Sequence, residues 1–272
     1  MNFENLQKAW NKLNYFKKLS VSPLHQRYLF PYFSGTYFTY RKIDVTRITK
    51  MAYSISDTPM FLDVGCGYGD FLDKIRQYIP NSEGIERDYT LFWYFGIIKP
   101  EHIIIGDVRW DLSKQYDMIF VGWMEPGIDF RRYIKDKTNV IITTLDQGIS
   151  LSAEYEDLGF DLIASWRTPS WEDISTEITN KYYSNITKDQ YFFLNSLRSA
   201  HNLWYVYVKQ SSELCNVIRE SLINSITEEE NERVLPTFDF ECVLNDCGFG
   251  HFERIFNPVL NIDQRLWKID LY

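Results

Sequence analysis

From about residue 59 to residue 210 the chain alternates short apolar runs, most ending at a glycine or an acid, with stretches of helical spacing. Phe61-Leu62-Asp63-Val64 runs into three alternate glycines, and beyond them Phe71, Leu72, Ile75, Tyr78 and Ile79 share one helical face. That order predicts strand, tight turn, helix. Further strands are expected at Ser82–Glu86, from His102 to a stop at Gly106-Asp107, at Tyr116–Gly122, Asn139–Leu145, Phe160–Trp166 and Leu203–Val208. Between them, Tyr89–Ile98 is apolar nearly all round and is expected to be covered on more than one side, by the N-terminal segment or by another subunit. Phe130–Lys135 is short for a crossover helix, but parallel strands need one there, and Leu151–Leu158 reads as a helix stopped by Gly159. Strand and helix in strict alternation mean a doubly wound α/β domain whose ligand lies outside the carboxyl ends of the strands.

The flanks are patterned differently. Leu6, Trp10, Leu13, Tyr15, Phe16 and Leu19 suggest an amphipathic helix, and the aromatic run from Tyr28 to Tyr40 is interrupted by Pro31 and Gly35. The long link from Arg167 to Asn202 holds a capping box at Thr187–Gln190 ahead of Tyr191, Leu194, Leu197 and Arg198. Its length suggests a role, with Trp171, Tyr182 and Tyr183 shaping a pocket. In the tail, residues 240–256 repeat the helix, Gly-Phe, strand pattern of Leu151 to Trp166, and Arg265–Ile269 echoes Leu203–Val208, so either pair suits the closing strands. The earlier pair is preferred because it follows the fifth strand directly. Three segments are expected: an N-terminal helical and aromatic piece at 1–58, the core at 59–210, and an appended helix with a small α/β piece at 211–272. Glu228–Glu230 reads as a solvated linker.

The glycine turn carries the chemistry. Gly65, Gly67 and Gly69 permit positive φ and leave the backbone amides open to a ligand. A dinucleotide fingerprint needs its third glycine one position later, where this chain has Asp70. A carboxylate there repels a pyrophosphate and tolerates a ligand with a sulfonium and an ammonium, which describes S-adenosylmethionine. Here the chain resembles the class I S-adenosylmethionine-dependent methyltransferases, whose first motif, acid-x-G-x-G-x-G, is matched by Asp63, Gly65, Gly67 and Gly69. The resemblance implies that the turn runs under the methionine part of the cofactor, with Asp63 near its amino group. It also implies a seven-stranded, mostly parallel sheet closed by an antiparallel strand, and N-terminal helices that fold over the cofactor as a lid.

Two further strand ends fall in register. Glu86 lies 17 residues past Gly69, close to the ~20-residue spacing at which an acid reaches ribose hydroxyls, and a carboxylate accepts both O–H groups at once. A surface glutamate is the plainer alternative. The resemblance places an acceptor for the adenine amino group at Asp107, with the Val108 amide as a donor to the ring; an aspartate that caps the next segment is an equally ordinary reading. At the end of the fourth strand, Trp123-Met124-Glu125-Pro126-Gly127 shares an acid-then-Pro start with relatives that methylate amino nitrogens of bases or glutamine. It lacks their second proline and aromatic, so that substrate class is not carried over. Glu125 suits proton acceptance or an ammonium, and Trp123 suits stacking on a flat acceptor or lying by the sulfonium. A Glu-Pro-Gly turn leading to the next helix is the plain alternative.

Composition narrows the rest. The chain is 45% hydrophobic and 17% aromatic, globular content rich in rings. No stretch reaches the length of a membrane helix and the first residues lack a signal-peptide layout, so a cytoplasmic location is expected. Cys66, Cys215, Cys242 and Cys247 form no paired CxxC set, and neither a metal site nor a disulfide framework is expected. The formal net charge of −8 argues against a broad nucleic-acid footprint without excluding a local one. Two basic groups, Arg41, Lys42, Arg47 and Lys50, and Arg131, Arg132, Lys135 and Lys137, read as solvated helix faces. The expectation is a methyltransferase using S-adenosylmethionine on a small-molecule acceptor, with a protein or RNA methyltransferase, or a cofactor-binding subunit without turnover, as alternatives.

Overall fold

The computed structural model describes residues 42–96, 98–122, 129–145, 155–167, 203–210, 212–232 and 269–272. The contact pattern separates two compact units, and nearly all of these residues belong to the one formed by Asp44–Trp166, Leu203–Leu235 and Ile269–Tyr272. The aromatic run 28–40, the link containing Trp171, Tyr182 and Tyr183, the capping box at 187–190 and the tail repeat at 240–256 lie outside the described residues.

The chain opens with α1 (Lys42–Ile55), then follows β1 (Phe61–Val64), α2 (Asp70–Arg76), β2 (Ser82–Glu86), α3 (Thr90–Phe95), β3 (Ile103–Ile105), α4 (Val108–Asp111), β4 (Met118–Val121), α5 (Arg131–Ile134) and β5 (Val140–Leu145). A 3-10 turn at Glu156–Leu158, β6 (Phe160–Arg167), β7 (Leu203–Lys209), α6 (Leu214–Glu232) and β8 (Ile269–Leu271) complete the described elements. The strands form one sheet in the order β3-β2-β1-β4-β5-β7-β6-β8. Strands β3 to β5 are parallel neighbours, β7 runs antiparallel to β5, and β8 runs antiparallel to β6. The chain moves outward from β1 to β3, then returns to add β4 on the other side of β1. That reversal leaves a crevice at the carboxyl ends of β1 and β4, the place where open α/β sheets hold ligands.

Period-two alternation sends residues 62 and 64, and 119 and 121, to one face and their neighbours to the other. On the first face Leu62, Val64, Ile119, Val121, Ile141 and Tyr207 pack with Ile134 of α5 and with Tyr155. The second face is aromatic: Phe71 of α2 lies 4.9 Å from Phe120, Phe120 stacks on Trp204 at 5.5 Å, and Trp204 lies parallel to Trp166 at 5.8 Å. Here α1 is seated, with Val45, Ile48, Met51 and Ala52 buried.

Three expectations are corrected. The sheet has eight strands rather than seven, because residues 269–271, too few to show a period, pair with 164–166 on the outer edge of β6. The earlier strand pair does supply the closing strands, as preferred. Glu228–Glu230 lies within helix α6 rather than in a linker. Within 89–98, Thr90–Phe95 forms a helix with Phe92 buried, and Tyr89, Trp93 and Ile98 are exposed on this chain. Arg47 is no solvated charge. It is fully buried beside equally buried Asp44; its guanidinium carbon lies 5.3 Å from the centroid of the Trp166 ring, whose Nε1 donates to Asp44 Oδ1 at 2.8 Å. Arg131 likewise donates to Asp129 and Asp157.

Candidate functional site

Asp63 is set by its strand. It lies beside Gly84 of β2 and Phe120 of β4, one residue short of the carboxyl end of β1, and only 3% of its surface is exposed. Burial first, then the charges of Asp70 and Glu86, push its carboxyl well above the usual carboxylate range. All three influences act in the same direction, and none of them is a cation.

The turn that follows has the conformation its glycines were expected to permit. Gly65, Gly67 and Gly69 have φ of 71°, 57° and 90°. Gly65 and Cys66 donate to Ile85 O on β2 at 2.9 and 3.3 Å, which ties the turn to the neighbouring strand. At Gly67 a Cβ would meet no atom within 4 Å, so the chain surface is open there, whereas at Gly69 it would lie 2.7 Å from Ile103 Cδ1. The two positions need glycine for different reasons: one keeps the backbone bare, the other lets α2 begin against β3.

Gly84 was passed over in the sequence reading. A Cβ on it would lie 2.6 Å from Cys66 Sγ and 2.7 Å from Leu72 Cδ2, so the turn and α2 pack directly on its backbone. A glycine inside a strand is the available signal for such an approach. Cys66 is buried in this contact, and burial above all, then Asp63 and Glu86, push its thiol up, so it is no nucleophile at neutral pH.

Glu86 ends β2 and turns back over the glycines. Its Oε2 accepts from Gly67 N at 2.9 Å and its Oε1 from Asp88 N at 2.8 Å. The carboxylate is therefore oriented by two amides and retains acceptor capacity on each oxygen. Asp63, Asp70 and Glu86 thus converge on one turn. Asp107 stands at the end of β3 as the N-cap of α4, accepting from Arg109 N at 3.0 Å, and Val108 behind it is buried. The Arg109 side chain also grips the Asp107 carboxylate and, as the leading cause, holds its pKa below the usual value. Gly106 donates to Glu86 O at 3.0 Å, so the ends of β2 and β3 are bound together. At the end of β4, Thr144 Oγ1 donates to Gly122 O at 2.5 Å. Trp123 and Glu125, the expected reacting groups, follow directly and lie outside the described residues.

A polar hollow bordered by Met60, Asp117, Thr138, Asn139 and Lys209 lies at the amino ends of β1, β4 and β5 and includes none of these groups. Among the described residues no cluster of His, Cys, Asp and Glu suits a metal ion, and no helix is long and apolar enough to cross a membrane.

Neither a protein-family model nor a curated protein matches the chain. Among solved structures it is similar to a TehB-like SAM-dependent methyltransferase from Corynebacterium glutamicum, at 17% identity over 69% of this chain and 96% of that one, with a TM-score of 0.41. It is also similar to residues 961–1257 of the StiE O-MT, at 13% identity over 77% and 86% of the two chains (TM-score 0.42). A third is the plantazolicin methyltransferase BpumL, in complex with a monoazolic desmethylPZN analog and SAH, at 15% identity over 74% and 90% (TM-score 0.38). Likeness at these identities and scores assigns no activity.

Proposed function

We propose that this protein is an S-adenosylmethionine-dependent methyltransferase of the class I fold acting on a small-molecule acceptor. The observation that carries the reading is the buried Asp63 carboxylate, with Asp70 and Glu86 for neighbours, at the crevice where the sheet order reverses. Such a place repels phosphate and favours a ligand bearing positive charge. The open space at Gly67 leaves room for that ligand against bare backbone.

In this reading Gly65, Gly67 and Gly69 form the cradle, Asp63 holds the ligand's ammonium, Glu86 takes the ribose hydroxyls, and Asp107 with the Val108 amide meets the base. When bound there, the cofactor would supply an electrophilic methyl group for in-line displacement by the acceptor. The chain's own part is orientation and exclusion of water. Glu125 takes up the acceptor's proton or holds its charge, and Trp123 stacks on it; both roles rest on the sequence alone. The acidic balance of the chain supports a small acceptor over a polyanionic one.

Titration calorimetry tests it. S-adenosylmethionine and S-adenosylhomocysteine should bind and NAD should not, and Glu86→Ala should weaken binding by about 1 to 3 kcal/mol, the range for losing a charged hydrogen-bond partner. Heat with NAD and none with S-adenosylmethionine would overturn it.

A further inference from the structure

The carboxylate expected to meet the nucleobase is already engaged. Asp107 Oδ1 accepts from Arg109 N at 3.0 Å and from Arg109 Nε at 2.9 Å, while Oδ2 accepts from Nε at 3.1 Å and Nη2 at 2.6 Å. An ionised carboxylate offers about four lone-pair sites, and three N–H groups of Arg109, the Nε–H shared between both oxygens, occupy most of them. An exocyclic amino group approaching Asp107 would compete with the guanidinium for these oxygens.

We propose that Arg109 is a specificity-determining residue at the nucleoside end of this site: its guanidinium pairs with the Asp107 carboxylate and competes with a base amino group for it. The inference rests on the reading of the crevice as an S-adenosyl site. Three features make the guanidinium a removable cover. The pair is partly exposed, with 32% of the Arg109 side chain and 19% of the Asp107 side chain reached by solvent, so water and salt compete with it. The guanidinium carbon already lies over the Trp110 ring, 5.9 Å from its centroid, and that 74% exposed face can keep the cation when the ion pair opens. The Asp107 backbone, by contrast, is pinned: its N–H donates to Asp111 Oδ2 at 2.7 Å and its carbonyl accepts from Trp110 and Asp111 N at 2.9 Å each. Arg109 can therefore leave without moving the acceptor.

The test compares S-adenosylhomocysteine with S-inosylhomocysteine, which has a carbonyl where adenine has its amino group, by calorimetry on wild type, Arg109→Gln and Arg109→Lys. Removing the competing guanidinium should tighten S-adenosylhomocysteine binding about two- to fivefold, the range for an exposed ion pair, with Arg109→Lys intermediate. The inosyl ligand, which has no amino proton to give Asp107, should gain nothing. Rising salt should tighten S-adenosylhomocysteine in wild type and leave the Gln variant unmoved. Unchanged or weaker adenosyl binding in the Gln variant, or an equal gain for the inosyl ligand, would overturn the proposal while leaving the adenosyl site standing. Binding of neither ligand to wild type or either variant would overturn the site reading and this inference with it.

Discussion

Asp63→Asn removes a charge and keeps the shape, so it separates what Asp63 costs the fold from what it gives the ligand. In the unfolded chain the carboxyl titrates near its ordinary 3.8, while in the fold burial, Asp70 and Glu86 make it hold its proton to higher pH. Between those two values the folded state binds more protons than the unfolded one, so stability falls as pH rises. The loss begins near the unfolded value and is complete once pH has passed the folded value. A buried polar group left uncompensated costs about 1 to 3 kcal/mol, more when charged. Asn has no charge to neutralise and offers N–H donors to Glu86 and Asp70. The ligand-free variant should therefore be more stable than wild type near neutral pH by about 1 to 3 kcal/mol, which at about 2 to 4 °C per kcal/mol raises Tm by roughly 2 to 12 °C. Thermal unfolding without ligand from about pH 4 to pH 8 should show the two melting curves converging at the acid end, with the advantage of Asn growing as pH rises. With saturating S-adenosylhomocysteine the order should narrow or reverse, since only wild type gains fully from the ligand. A variant less stable than wild type at neutral pH, or a difference that ignores pH, would refute the account of Asp63 as a buried acid.

Two other substitutions probe the frame around it. Gly84→Ala forces a methyl to within 2.6 Å of Cys66 Sγ and 2.7 Å of Leu72 Cδ2, and should cost about 1 to 3 kcal/mol in urea unfolding. Adding Cys66→Ala should recover part of that loss, and strictly additive losses would show that the contact is not the cause. Trp166→Phe keeps the ring but deletes the 2.8 Å bond to buried Asp44, and should lower stability by about 1 to 3 kcal/mol; an unchanged denaturation midpoint would mean that Asp44 is satisfied by other groups.

The parts of the fold legible in the sequence were those whose cause is local. Phe61–Val64, Ser82–Glu86 and Phe160–Trp166 are strands because apolar runs meet glycine or acid at their ends, and the glycine turn is written in three residues. What the sequence hid depends on distant partners. Arg47 looked like one of several surface charges because its aromatic neighbour, Trp166, lies 119 positions away. Strand β8 is three residues long and owes its existence to the open edge of β6. At the candidate site, Asp63, Glu86 and the three glycines were found by spacing. The hold of Arg109 on Asp107 was not, because two charges two residues apart pair only when the intervening backbone turns as it does at a helix cap.

The parallel indoles of Trp204 and Trp166, 5.8 Å apart and 5° from coplanar orientation, are electronically coupled chromophores. Phe120 lies against one of them, and Phe71, the second residue of α2, touches both Phe120 and Trp204. A tilt of α2 on ligand binding at the glycine turn would be passed to that pair of rings. The molecule carries an intrinsic optical gauge, readable as a change in near-ultraviolet dichroism or tryptophan emission, without a label and without turnover.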